Sequence, residues 1–263
     1  GLVAQWLQIG FIHGVMNTDN SAISGETIDF GPCAFMEAYN PVTVFSSIDR
    51  QGRYAYQNQP GIAQWNMARL AETLLPLIDE DQERAVELAN AAVVSFAETF
   101  QTHWLSGMRR KLGLRLEEDG DKGLIDGFLN VLLVNRADFT LGFRRLADAA
   151  EGSENESQFY DLMTEDRMAA VEWLEGWRAR LGREAMSGEA RARAMRAVNP
   201  VYIPRNHLIE EAIQAAVQGA DFAPFETLSA VLSHPFQEDA DVPVRYTLPA
   251  EPEQRVTQTF CGT

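Results

Sequence analysis

Two cysteines and four histidines are all that the 263 residues contain. Two thiols are too few for the disulfide framework of a small secreted domain. The histidines, His13, His103, His207 and His234, are scattered, and no pair has the short spacing of a zinc site. No apolar run approaches the ~20 residues that span a bilayer, so no membrane partner is expected. Basic residues are scarce: 22 Lys and Arg stand against 38 Asp and Glu, a formal charge of −16. Such a chain repels a phosphate backbone over most of its surface, which argues against nucleic acid as a partner. The acidic excess is spread along the chain and reads as a solvated surface. A G-x-G-x-x-G phosphate loop and a strand-borne lysine are also missing, so any phosphate must be met by a metal and local cations.

What the chain does have is 46% hydrophobic residues, enough to bury a core as one large domain or two small ones. Leu2, Trp6, Ile9 and Phe11 share one helical face over residues 2–12. Residues 32–59 are irregular, punctuated by Pro41, Gly52 and Pro60, with Phe35, Tyr39, Phe45, Tyr54 and Tyr56 as anchors of a long loop. Asp49, Arg50, Arg53 and Asn58 are placed to form a polar network there. From Ile62 the pattern is almost wholly helical. Helices are expected over 62–78, over 80–111 with Asp79 or Asp81 as N-cap and Gly113 as stop, and over 121–149 with a break near Asp138. A helix over 158–181 follows, then an Arg- and Ala-rich stretch at 182–196. Two more run from PRNH (Pro204 to His207) to Ala216 and from Phe222 to Leu232. The basic stretch is the only one in the chain, and the expected role is an exposed helix paired with acidic neighbours.

The chemistry concentrates in HGVMNTDNSAISGETIDFGPC, residues 13–33. Asp19 and Asn20 are adjacent, and Asp29 follows nine residues after Asn20. AISGETI between them reads as two brief strands turning at Ser24-Gly25, a hairpin that would fold Asn20 and Asp29 together. One amide oxygen and one carboxylate suit a hard cation completed by substrate phosphates, such as Mg²⁺ or Mn²⁺. Asp29-Phe30-Gly31 is also the metal-holding turn of protein-kinase-like folds, where an Asn at the end of the catalytic loop supplies the second ligand. The loop departs from that pattern, because Val15 stands two residues after His13, where the base is expected. The nearest carboxylate is Asp19. His13 itself, flanked by apolar residues and Gly14, is expected to brace the loop.

HGVMNTDNSAISGETIDFGPCAFME, with NPVTVFSSIDRQGRYAYQNQPGIAQWNMARLAETLLPLI after it, closely resembles the selenoprotein O family of protein adenylyltransferases, which have a pseudokinase fold. NPVYIPRNHLIEEAI, residues 199–213, is a second anchor of the resemblance, and the terminal Cys261-Gly262-Thr263 is similar to the family's cysteine-bearing end. The resemblance implies a mainly α fold: a protein-kinase-like C-lobe with a short β-hairpin at the metal loop (1–150), a helical C-terminal extension (151–236) and an extended tail (237–263). It implies transfer of AMP from ATP to hydroxyl groups of protein substrates. Asp19 would be the base, Asn20 and Asp29 the metal ligands, with Asp29 meeting the nucleotide through the metal. Family members are longer and carry an N-terminal nucleotide-binding lobe, so that lobe is an expected partner and this chain alone is expected to be inactive. Cys33 and Cys261 are either two unrelated thiols or a reversible, regulatory disulfide; the resemblance favours the second. The compartment it implies is the bacterial cytoplasm, or the mitochondrion in a eukaryote. A kinase-like phosphotransferase and a non-catalytic pseudokinase scaffold are the competing readings.

Overall fold

The computed structural model describes residues 1–260, and the Cys33–Cys261 pairing therefore lies outside the described residues. The chain is mainly helical and divides into two units. Unit 1 comprises residues 1–33, 41–107 and 258–260; unit 2 comprises 34–40 and 108–257. No helix among the described residues is long and apolar enough to cross a membrane.

Unit 1 begins with α1 (Leu2–Ile9), shorter than the helical face extending to residue 12 suggested. Gly10 ends it by entering the left-handed region (φ 75°), from which its N–H returns to the Trp6 carbonyl. The two-residue strand β1 (Phe11–Ile12) follows. α2 (Gln59–Ile78) starts with Pro60 in its first turn, where a missing N–H does no harm. α3 runs Gln82–Lys111, and the Asp81 carboxylate accepts from the Arg84 N–H at its start. Its last turn, from Met108, belongs to unit 2. Between β1 and α2 the long loop is pinned from inside. Asp49 accepts from the backbone N–H groups of Arg53 (2.9 Å) and Tyr54 (2.8 Å), and Asn58 donates to the Gly52 carbonyl. Phe45, Tyr54 and Tyr56 are buried, as expected of anchors.

The expected hairpin is absent: residues 21–30 contain no strand. A turn closed by Gly25 N–H to the Ala22 carbonyl remains, with Gly25 at φ 76°. The physical reason is burial. Ile23 is 87% exposed and Ile28 38%, so neither expected strand has an apolar face to pack, and a lone two-stranded ribbon is marginal without one. Side-chain bonds hold the segment instead. Trp6 Nε1 donates to Thr27 Oγ1 (2.9 Å), and Asn66 Nδ2 donates to Ser21 Oγ (2.8 Å).

Unit 2 holds the two-residue strand β2 (Ala34–Phe35), α4 (Asp121–Val134), α5 (Phe139–Glu151), the single turn α6 (Ser157–Tyr160) and α7 (Arg167–Leu181). It continues with α8 (Gly188–Arg196), α9 (Asn206–Gly219) and α10 (Ala223–Leu232). Asp138 caps α5 through the Leu141 N–H (2.8 Å), which places the break where the acidic residue stood in the pattern. The single helix expected over 158–181 is interrupted because Asn135 captures the gap. Its Oδ1 accepts from the N–H groups of Glu165 and Asp166, and its Nδ2 donates to the Asp166 carbonyl. Phe128, Phe139, Phe143, Phe159 and Trp177 are fully buried, and ring centroids 4.8 Å apart (Phe128, Phe143) and 4.7 Å apart (Phe128, Trp173) form the core.

The arginines of the basic stretch are paired with acidic residues as expected, but α8 is not an exposed helix: Arg191, Ala192 and Met195 are buried. Arg191 meets Glu184, and Arg196 meets Asp148 and Glu151. The NPVYIPRNH motif is a structural anchor of this unit. Arg205 is fully buried against Asp138 and Glu37. Asn199 accepts from Lys111 Nζ (2.6 Å) and donates to the Lys111 carbonyl (3.0 Å).

Lys111 lies beneath the Phe143 ring, 3.9 Å from its centroid, and burial pushes its pKa down to about 7 from an ordinary 10.5. An unfolded chain then holds a proton that the folded chain releases between these values, so stability climbs as pH rises through that window. Urea unfolding of wild type and Lys111→Met between pH 7 and 10 is expected to show the wild type gaining on the variant by up to about 1.4 kcal/mol per pH unit. A pH-independent difference would contradict this.

Candidate functional site

His13 organises the candidate site within unit 1. It is 1% exposed, packed against the Trp6 ring (centroids 5.3 Å apart) and edge-on to Phe11. Its Nε2 donates to the Ile28 carbonyl at 2.8 Å, and its Nδ1 lies 3.4 Å from the Val15 N–H, which donates to it. One neutral tautomer satisfies both contacts, and burial holds the imidazole pKa below 6.5. Gln59, wholly buried, fixes the backbone beside it: its Oε1 accepts from the His13 N–H, and its Nε2 donates to the carbonyls of Phe11 and Tyr56. Gly14 makes the approach possible. At φ 81° it lies so close to Pro32 that an added Cβ would sit 2.9 Å from the Pro32 carbonyl oxygen.

The ligand candidates hang from this frame. Asn20 closes the 3-10 turn Thr18–Asn20 and donates through Nδ2 to the Val15 carbonyl (2.9 Å). Asp29 directly follows Ile28 and adopts a left-handed backbone (φ 56°), uncommon outside glycine but tolerated by Asp. Asn20 and Asp29 are thus joined through Val15, His13 and Ile28 rather than by paired strands. Asp19 is exposed on the 3-10 turn. Asn17 beside it accepts from Tyr54 Oη (2.5 Å), which ties this turn to the anchored loop.

Most polar side chains around the loop are committed: His13, Gln59, Asn17 and the Asn66 amide nitrogen all make hydrogen bonds. Asn20 Oδ1 and the carboxylates of Asp19 and Asp29 make none, and Asn66 Oδ1, buried on the inner side, also lacks a partner. Two or three uncommitted hard oxygens fit Mg²⁺ or Mn²⁺ with the remaining positions filled by water and phosphate. No group of three or more His, Cys, Asp or Glu among the described residues is placed to hold a metal ion. Gln59, Asn66 and Asn17 escaped the sequence reading. The signal for Gln59 and Asn66 was two amides bracketing the first turns of α2 among aromatic and apolar residues.

Cys33 is half-buried, and burial pushes its thiol up to about 11. The bond nearest it from the chain end is Thr259 Oγ1 to the Pro32 carbonyl (2.5 Å), with Thr259 also paired to Phe45 and Ser47 through the backbone.

Comparison with known proteins agrees with these motifs. The family model described as Protein adenylyltransferase SelO matches residues 1–233. Protein nucleotidyltransferase YdiU of Rhizobium etli (strain CIAT 652) is 56% identical over 262 residues, covering 100% of this chain and 52% of that relative. The proteins of the same name from Rhizobium rhizogenes and Bradyrhizobium diazoefficiens are 58% and 55% identical, covering 100% of this chain and 52% and 53% of theirs. The chain spans about half the length of these curated relatives.

Two expectations follow. The unfolded chain protonates His13 near pH 6.5 while the folded chain refuses the proton, so acid erodes this contribution to stability from that pH downward. In paired urea melts, the stability advantage of wild type over His13→Phe should shrink as pH falls from 7 to 5; an advantage that grows in acid would contradict the neutral tautomer. Cys33, held as a thiol at neutral pH, should react with iodoacetamide far more slowly than free cysteine, as followed by mass spectrometry of its peptide. Alkylation as fast as free cysteine would refute that.

Proposed function

Because the chain belongs to the SelO family, we propose that it carries the metal-binding and proton-accepting part of a protein nucleotidyltransferase, one that moves AMP from ATP to Ser, Thr or Tyr hydroxyls of other proteins. The observation that carries this reading is the set of uncommitted oxygens on Asp19, Asn20 and Asp29, on a loop whose other polar groups are largely bonded. The family description supports adenylyl transfer, while the relatives' shared name specifies only a nucleotide.

Asn20 Oδ1 and the Asp29 carboxylate would hold a divalent cation, which would neutralise charge on the nucleotide phosphates and the departing pyrophosphate. Asp19 would accept the proton of the acceptor hydroxyl as its oxygen bonds to the α-phosphorus and the α–β bridge breaks. A positioned base of this kind contributes on the order of 10²–10⁴-fold. His13 acts through the backbone, fixing the Ile28 carbonyl and hence the Asp29 conformation. Val15 is buried and apolar, which removes it as a base at the position kinase-like phosphotransferases use. With a net charge of −16 the chain offers no general attraction for ATP, so the cation and the remainder of the longer protein would supply it.

Intact protein given ATP labelled at the α or at the γ phosphate, and UTP labelled at the α phosphate, tests the reading. Label from α-ATP should appear on protein and γ label should not. Asp29→Ala should lower the rate at least about 100-fold. Transfer of γ label, or full activity in Asp29→Ala, would overturn the assignment, and preference for UTP would correct the nucleotide.

A further inference from the structure

Unit 1 contains no lysine and four arginines, Arg50, Arg53, Arg69 and Arg84. Two of them meet one indole: the guanidinium carbons of Arg53 and Arg69 lie 4.8 Å and 5.3 Å from the centroid of the Trp65 ring. Trp65 stands on α2 and is 42% exposed, so the group faces solvent. A guanidinium stacked on an aromatic ring is held in place while its N–H edge stays open to a carboxylate. Arg69 is paired with Glu72, and Arg84 with Glu87. Arg50 and Arg53 pair with no carboxylate among the described residues. The polar network expected around them goes to the backbone instead: Asp49 spends both carboxylate oxygens on the N–H groups of Arg53 and Tyr54. An aromatic ring thus steadies a cation that its own unit leaves without a counter-charge.

Arg53 also lies over the Tyr54 ring, 5.7 Å from its centroid, and the Tyr54 hydroxyl donates to Asn17. Asn17 precedes the 3-10 turn that carries Asp19 and Asn20. One tyrosine therefore links the unpaired guanidinium to the turn bearing the proposed base. We propose that Arg53, steadied by Trp65 and flanked by Arg50, receives an acidic side chain of the protein that offers the acceptor hydroxyl. This role rests on the acceptor being another protein, as proposed above, and gives the recognised segment its chemistry: Glu or Asp near the modified residue. A chain with a formal charge of −16 repels such a segment over most of its surface, so an unpaired cation linked to the Asp19 turn selects where it docks. The nucleotide phosphates would have their counter-charge already, in the cation at Asn20 and Asp29.

Fluorescein-labelled peptides with Ser, Thr and Tyr at the centre, flanked by Glu in one and by Gln in the other, are the probes. Their binding to the intact protein is read by fluorescence anisotropy without ATP. Arg53→Gln should weaken the Glu peptide about fivefold and leave the Gln peptide unchanged. Arg84→Gln removes the same charge from α3 and should change neither peptide by more than about twofold. With ATP labelled at the α phosphate added, KM for the Glu peptide should rise by the same factor in Arg53→Gln while kcat holds. Equal losses for the two peptides, an equal loss in Arg84→Gln, or a Glu peptide that does not bind, overturns the proposal. An Arg53→Gln protein that keeps the Glu peptide but binds a fluorescent ATP analogue more weakly assigns the guanidinium to the nucleotide, and overturns it too. Binding that depends on Arg53 without transfer of α label would uphold the patch and overturn the adenylyl reading alone.

Discussion

A single buried imidazole holds the candidate site together. His13 joins two chain segments, at Ile28 through its donor nitrogen and at Val15 through its acceptor nitrogen, and only the neutral ring can do both. Burial among Trp6 and Phe11 keeps it neutral, and Gln59 fixes the backbone from which it projects. Removing the ring would leave a buried carbonyl and N–H to find other partners in an apolar setting, where few exist. The left-handed conformation of Asp29 persists because its neighbour Ile28 is tied down in this way.

From that brace follows a division of labour among the polar groups. The amides of Gln59 and Asn66 and the Tyr54 hydroxyl donate to the chain and set its shape. The oxygens of Asp19, Asn20 and Asp29 are left to other partners, in a chain whose excess of negative charge makes a cation the natural one. Unit 2 handles its charges in the opposite manner. Arg205 pairs with Asp138 and Glu37, and Arg180 with Asp121 and Glu184, so these buried arginines are neutralised within the unit and fix structure.

Much of the helical architecture was legible in the sequence because its signals are local. Asp81 and Asp138 cap the helices they precede, and Gly10 and Gly113 stop the ones they follow. The 161–166 interruption was not legible, since the residue that causes it, Asn135, lies 30 positions upstream. Nor was the open loop at 21–30. Its alternating pattern resembles a hairpin, yet Ile23 and Ile28 are exposed, and burial rather than alternation decides whether strands form. Asp19, Asn20 and Asp29 were singled out through motif and resemblance. Gln59 and Asn66 were not, because a buried amide has no periodic signature and is recognised only by what it touches.

The central claim is that this braced loop brings Asn20 Oδ1 and an Asp29 carboxylate oxygen to one hard cation. Crystals of the intact protein with Mn²⁺ and a non-hydrolysable ATP analogue, examined by anomalous scattering, test it most directly. The account predicts a peak about 2.0–2.3 Å from both oxygens, with phosphate oxygens completing the shell. A manganese ion bound to the nucleotide by other residues, with either Asn20 or Asp29 turned away from it, would contradict the account.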